Sequence, residues 1–254
     1  MAKMVKDIHL TGKDLMDMVQ LRPEDIGRFG LVPGPRERLD AIVKKLQDPI
    51  KNFSFMEYTM FTGTYEGTKI TSINGGRFSA DTAITTEILC NAKVGAMIRL
   101  GSCGALREDI KVGDLIVVDS AMIGEGVSQY YSGKNAAPTT NKELSDTLFK
   151  LAQSPMRTIH RGKCWTTDGL LRETREIIGK AVDQGAIAVD MVTSAFLTIC
   201  QHYKVPAAVI LAVSDNVITG EMGFMNPDYY MAEADTVKIG LNLVKELAQK
   251  PSLV

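Results

Sequence analysis

Apolar positions along this chain follow two rhythms that alternate from one end to the other. Short, nearly unbroken apolar runs recur at "RFGLVP", "VGAMIRLGS", "VGDLIVVDSA", "AIAVD" and "VPAAVILAVSDN". Runs of that length with no polar face read as strands buried on both sides. Between them, apolar residues return every three or four positions, the spacing of one helix face. Leu39, Ile42, Val43 and Leu46 mark one such face after a Gly-Pro turn; Val237, Leu241, Val244 and Leu247 mark another within residues 227–249. Further helices are expected over residues 79–92 with Ser79 as N-cap, over 141–154 opened by Asn141, and over 173–183. A strand is expected near residues 158–165, and "AIAVDMVTSAFLTICQHY" reads as a strand running into a helix. "YTMFTGTYEGTKITSING" reads as a hairpin turning at Tyr65-Glu66-Gly67-Thr68. No repeat, low-complexity tract or linker interrupts the series, so the pattern predicts one α/β domain with a mixed sheet over residues 1–254.

Composition narrows the classes. Hydrophobic residues make up 45% and charged residues 23% of the 254, enough for a sizeable core. The formal charge of -1 supplies no general basic field, so neither nucleic acid nor an anionic membrane is an expected partner. Cys90, Cys103, Cys164 and Cys200 stand singly, and the three histidines show no metal spacing, so no metal site is expected. Reduced thiols, a start without an apolar signal segment and no apolar stretch approaching 18 residues lead to an expectation of a cytoplasmic, non-membrane protein.

The chemistry gathers at the ends of the expected strands, where ligands collect in open α/β sheets. "LVPGPRER" ends in a glycine turn with Arg36 and Arg38. "MIRLGSCG" carries Arg99 and then Ser102, and "LAVSDN" ends in Ser214-Asp215-Asn216. Glycine turns let backbone N–H groups approach an oxyanion, and arginine adds a fork of donors. Gly34, Arg38, Arg99 and Ser102 together would cradle a phosphate; each alone is equally a turn, a surface ion pair or a loop hydroxyl. Asp215 has two readings, a helix N-cap or a carboxyl beside an apolar strand acting as general acid. Asp190 ends another apolar run. His160 and His202 read as structural groups, Trp165 as core packing, and "GEMGFMNP", with Met222 and Met225, as either a flap or loop packing.

In this order, "LVPGPRERLDAI", "IRLGSCGALREDIKVGDLIVVDSA", "AVDMVTSAFLTI" and "ILAVSDN" resemble the type-I nucleoside phosphorylases, over nearly the whole chain. That family holds purine nucleoside, uridine and methylthioadenosine phosphorylases and related nucleosidases. The resemblance implies a three-layer α/β/α fold around a mixed central sheet. It implies that Gly34, Arg38, Arg99 and Ser102 hold inorganic phosphate, the co-substrate, with no other cofactor. It places Asp215 as the acid at N7 of a departing purine, Met191 beneath the ribose, and Asp190, Val192 and Ser214 around the nucleoside. His9 matches a histidine that reaches a neighbouring subunit's site, which implies self-association as dimers assembled into a hexamer. The implied activity is purine-directed phosphorolysis of the N-glycosidic bond. Alternatives are a purine nucleosidase resembling those for adenosine monophosphate, as "GEGVSQYY" suggests, a uridine phosphorylase, or an impaired nucleoside-binding member.

This chain departs from the family pattern at specific places. Val192 stands where a glutamate holds the ribose hydroxyls, and a valine leaves such hydroxyls unpaired at a cost of about 1–3 kcal/mol. Met56 stands where an arginine of the adjoining subunit completes the phosphate site, with Arg36 or Arg77 as possible substitutes. "NGGRFSADT" inserts Arg77 and Phe78 into the glycine turn, and Leu170 and Leu171 replace an aromatic pair beside the base.

Overall fold

The computed structural model describes residues 6–75, 77–132 and 137–250. Its frame is a single mixed sheet of ten strands. The first half contributes β1 (Phe29–Pro33), β2 (Gln47–Phe55), β3 (Tyr58–Tyr65), β4 (Thr68–Ile73) and β5 (Ala96–Ala105). The second half adds β6 (Leu115–Gly124), β7 (Ile159–Thr167), β8 (Ala186–Asp190), β9 (Ala207–Asn216) and β10 (Glu221–Met222). Helices α1 (Gly12–Met18), α3 (Ser79–Asn91) and α6 (Thr193–His202) pack over one face. Helices α2 (Arg36–Val43), α4 (Lys142–Ala152) and α7 (Pro227–Gln249) pack over the other. Helix α5 (Arg175–Asp183) closes a small third core with Trp165, Leu106 and Val189. The two main cores on opposite faces of one sheet make the three-layer α/β/α architecture. It also explains why the central strands lack a polar face.

Strand β5 is the pivot. It lies parallel to β9 along its whole length and parallel to β1 up to Leu100, opposite Pro33. From Gly104 onward its other edge pairs antiparallel with β8, where Gly104 faces Val189. Because β9 also pairs with β6, and β6, β7 and β8 follow in order, strands β5, β9, β6, β7 and β8 close a circuit. One edge of β5 therefore opens between Leu100 and Gly104, and the ends of β1 and β8 splay apart there.

Local chemistry accounts for the elements that were expected and for those that were not. In the β3–β4 turn, Glu66 (φ 48°) and Gly67 (φ 79°) both take the left-handed conformation that a two-residue hairpin needs, and Tyr65 pairs with Thr68. The Asn141 side chain accepts from Leu144 N at 3.0 Å and caps α4. Ser79 is not the N-cap of α3: Phe78 holds that position, and the Ser79 hydroxyl donates to the Met191 carbonyl at 2.8 Å. Helix α2 stops at Val43, so Leu46 belongs to the approach to β2. That strand contains Pro49 and buries little beyond Phe53, as an edge strand does. Short α1, with a Thr11–Asp14 capping box, also escapes the periodicity. The four cysteines are buried free thiols. No helix among the described residues is long and apolar enough to cross a membrane.

Candidate active site

A cavity of about 280 Å³ occupies the open edge of β5. Gly34 follows β1 directly and enters it together with Pro35; Arg38 projects from the first turn of α2. Both enter beside Arg99, Gly101 and Ser102 of β5. The Arg99 guanidinium lies close over Gly101, where a Cβ would come within 3.0 Å of its Nη2. Val189 and Asp190 arrive from β8, and Ser214 and Asp215 from β9. Helix α7 adds Tyr229 and Glu233.

Both buried arginines are matched by carboxylates. Arg99 Nη2 lies 3.3 Å from Asp190 Oδ2, both side chains being almost fully enclosed. Burial lowers the Arg99 pKa and the Asp190 charge opposes that shift. Asp190 also accepts from Thr166 Oγ1 at 2.8 Å, Thr193 Oγ1 at 2.6 Å and the backbone N–H groups of Val192 and Thr193. It thus anchors the start of α6 as well as Arg99. Arg38 donates to the Leu100 carbonyl at 2.7 Å and pairs with Glu233. Glu233 also accepts from the Tyr229 hydroxyl at 2.8 Å. Burial pushes Tyr229 up to about 12, and its hydrogen bond with Ser102 works against that, so the phenol stays neutral.

The far end of the cavity is different. Leu170, Val189 and Phe224 provide apolar walls, and the carboxyl groups are Asp215 and Glu173. A register shift between β5 and β9 leaves Ser214 without an opposite residue: Cys103 faces Val213, and Gly104 faces Asp215. Such a bulge breaks strict alternation, so Ser214 and Asp215 both line the cavity. Ser214 Oγ donates to the Cys103 carbonyl at 3.1 Å and to Asp215 Oδ1 at 2.7 Å. Asp215 caps no helix. The turn beyond β9 is instead held by Asn216 Oδ1, which accepts from Ile218 N and Thr219 N at 2.9 Å each. Burial first, and then the charge of Asp215, push Glu173 up to about 7.

Of the residues expected at the site, Gly34, Arg38, Arg99, Ser102, Asp190, Met191, Val192, Ser214 and Asp215 all line this one cavity. His9 does not; it is exposed in the segment before α1. Met56 is 74% exposed at the β2–β3 turn. Arg36 is committed to Asp40 at 2.9 Å and Thr59 at 2.8 Å, whereas Arg77 lines the cavity. Leu170 lines it too, while Leu171 is 91% exposed. Trp165 is core, His160 pairs with Asp114 at 2.9 Å, and His202 Nδ1 lies 3.3 Å from the Tyr131 carbonyl. Glu173, Phe224, Tyr229 and Glu233 were not foreseen. Tyr229 and Glu233 share a helix face at i, i+4, which their spacing could have shown. Glu173 offers no pattern beyond a carboxylate in a polar turn. Among the described residues no group of three or more His, Cys, Asp or Glu could hold a metal.

Residues 28–237 match the Phosphorylase superfamily. The chain belongs to that superfamily. Among its members it falls with the nucleoside phosphorylases, which are pentosyltransferases. The chain is 28% identical over 206 residues to "Purine nucleoside phosphorylase DeoD-type" of Bacillus cereus (strain B4264), covering 80% of this chain and 88% of that one. The same identity and coverage hold for the protein of that name from Bacillus thuringiensis (strain Al Hakam). In structure it superposes on uridine phosphorylase from Vibrio fischeri ES114, crystallised with 6-hydroxy-1-naphthoic acid. The TM-score is 0.82 at 22% identity, over 90% of this chain and 95% of that one. A second crystal structure of that protein gives 0.80 at 24%, over 90% and 96%. These superpositions establish the shared fold.

Proposed function

We propose that this chain is a purine-directed nucleoside phosphorylase, converting a nucleoside and inorganic phosphate into free base and (deoxy)ribose 1-phosphate. The observation that carries this reading is the polarity of one cavity. Two buried arginines, a hydroxyl and a glycine turn sit at one end, and Asp215 and Glu173 sit between apolar walls at the other. Breaking the glycosidic bond places positive charge on the sugar and negative charge on the base. A phosphate oxygen attacks the anomeric carbon as the C–N bond breaks, and the bonding pair leaves with the base. Phosphate held by Arg38, Arg99, Ser102 and the Gly34 turn is nucleophile and counter-charge together. Asp215 protonates N7 of the leaving purine, a contribution of about 10²–10⁴-fold. The exposed His9 segment belongs to self-association, each copy completing its neighbour's site within dimers of a hexamer.

A second reading has its own observation. Arg38 and Arg99 already face Glu233 and Asp190, and the β2–β3 turn presents Met56 instead of a cation. A cradle so neutralised favours a nucleosidase in which water replaces phosphate. Base release from inosine, guanosine, adenosine, uridine and adenosine monophosphate, with and without phosphate, separates the two. Release from purine nucleosides that depends on phosphate, and that Asp215→Asn abolishes, is the expected result. Release without phosphate establishes hydrolysis, and near-normal turnover by the Asn variant removes Asp215 from the acid role.

A further inference from the structure

The phosphate end of the cavity is short of positive charge. Arg38 faces Glu233 and Arg99 faces Asp190, so each buried arginine is matched by a carboxylate before any anion arrives. Arg38 nonetheless has one donor unused: its Nε is buried and meets no acceptor among the described residues. A buried N–H without an acceptor is costly, and a phosphate oxygen would satisfy it. Adding an anion to a set of charges that already cancel is unfavourable, however, unless a further cation faces it.

Arg77 meets that requirement by position. It lines the cavity beside Gly34 and Pro35, and the same three residues form the wall shared with a second cavity of about 350 Å³. That neighbouring cavity carries Glu37, Glu57 and Asp81, and its other arginine, Arg36, is held by Asp40 and Thr59. An anion is therefore repelled on that side of Arg77 and drawn to the Gly34 side. The backbone is anchored on both sides of Arg77. The Gly75 carbonyl accepts from Thr82 Oγ1 at 3.0 Å and from Thr85 Oγ1 at 2.9 Å. Ser79 Oγ donates at 2.8 Å to the carbonyl of Met191, itself a residue of the cavity wall. The Arg77 side chain is exposed and makes no hydrogen bond or contact ion pair with any described residue. It lies within the field of Asp81 but not in contact with it.

We infer that Arg77 completes the phosphate cradle, placing a third guanidinium on the anion held by the Gly34 turn, Arg38, Arg99 and Ser102. This rests on the phosphorolytic reading of the cavity given above. The cation comes from the turn into α3 of the same chain, whereas the β2–β3 turn offers Met56 and no charge there. Arginine suits the position because its fork meets two phosphate oxygens at once; lysine brings the charge without the fork.

The test measures binding of inorganic phosphate by calorimetry, without nucleoside, for wild type, Arg77→Ala and Arg77→Lys. The alanine variant binds phosphate about 10- to 100-fold more weakly, and lysine recovers part of that loss. Both variants melt with wild type, because the side chain is exposed and holds no described neighbour. With inosine as substrate, the KM for phosphate rises by the same factor in the alanine variant, while the KM for inosine changes less than about threefold. Equal phosphate binding in wild type and Arg77→Ala, or a lysine variant no better than alanine, overturns the inference. So does a loss confined to inosine 5′-monophosphate, which would mean that Arg77 reads a phosphate carried by the substrate. The reading of the cavity is judged separately, on wild type. Wild type that binds phosphate but releases base without it is a nucleosidase, and Arg77 still stands or falls by the binding comparison. Wild type that binds no phosphate removes the cradle, and the role of Arg77 with it.

Discussion

Arg99 and Asp190 show how a strongly unfavourable pair of residues becomes part of a site. Each is buried, and neither would be stable there alone, because removing one partner from a buried ion pair costs about 3–5 kcal/mol. Asp190 is affordable because Thr166, Thr193 and two backbone N–H groups share its charge. Glu173 has no such company, and its pH behaviour follows. Its pKa rises from 4.5 in the unfolded chain to about 7, with burial as the main cause. Between those values the folded protein holds a proton that the unfolded chain has released, so stability falls as pH rises through that window. Glu173→Gln removes this dependence. Thermal melts should show its Tm advantage over wild type growing from pH 4.5 to about 7 and then levelling off. An advantage that is constant with pH would mean the carboxyl titrates normally.

At the scale of elements, the decisive feature is that β5 changes partner within its length. From Ala96 to Leu100 it completes the sheet with β1; from Gly104 it joins β8. The gap between is lined by the small residues Gly101, Ser102 and Cys103, and Gly101 before Ser102 and Gly104 two residues after it keep the walls close. At Gly101 a Cβ would lie 2.5 Å from Leu211 Cδ2 and 3.0 Å from Arg99 Nη2; at Gly104 it would lie 2.9 Å from Asp215 Oδ2. The two alanine variants therefore press on opposite ends of the cavity. Each should destabilise the fold by about 1–3 kcal/mol through overpacking. Gly101→Ala should raise the KM for phosphate, and Gly104→Ala should lower kcat with less effect on phosphate. Identical kinetic effects from the two would contradict this division of the cavity.

For the whole molecule, helices on both faces leave the cavity at an open end of the sheet, where a second copy can cover it. His9 is exposed before α1 and contributes nothing to its own cavity. If each site borrows His9 from its neighbour, complementation reads the arrangement directly. His9→Ala and Asp215→Asn, each defective alone, should regain activity when dissociated together and reassembled. A mixed dimer then contains one site with Asp215 from one protomer and His9 from the other. No recovery in a mixture shown by sedimentation to have exchanged subunits would place His9 outside the site.

The apolar rhythm by itself determined the α/β class, the central strands, the β3–β4 hairpin and the cap at Asn141, because these depend on local periodicity and turn chemistry. The polar strand ends likewise marked Gly34, Arg38, Arg99, Ser102 and Asp215 as candidates before any contact was visible. The tertiary structure alone decided which partners those charges have. Glu233 meets Arg38 across 195 positions and Asp190 meets Arg99 across 91, separations that carry no periodic trace. The same holds for edge strand β2, whose pairing with β3 and not its own hydrophobicity makes it a strand. Ser79 went to Met191 instead of a cap for that reason too, since a hydroxyl takes whichever acceptor folding brings to it. Glu173 is the clearest case. In sequence it is one carboxylate in a polar turn; only the closing of the β5–β9–β6–β7–β8 circuit sets it in the same cavity as Asp215, with no hydrogen-bond partner among the described residues.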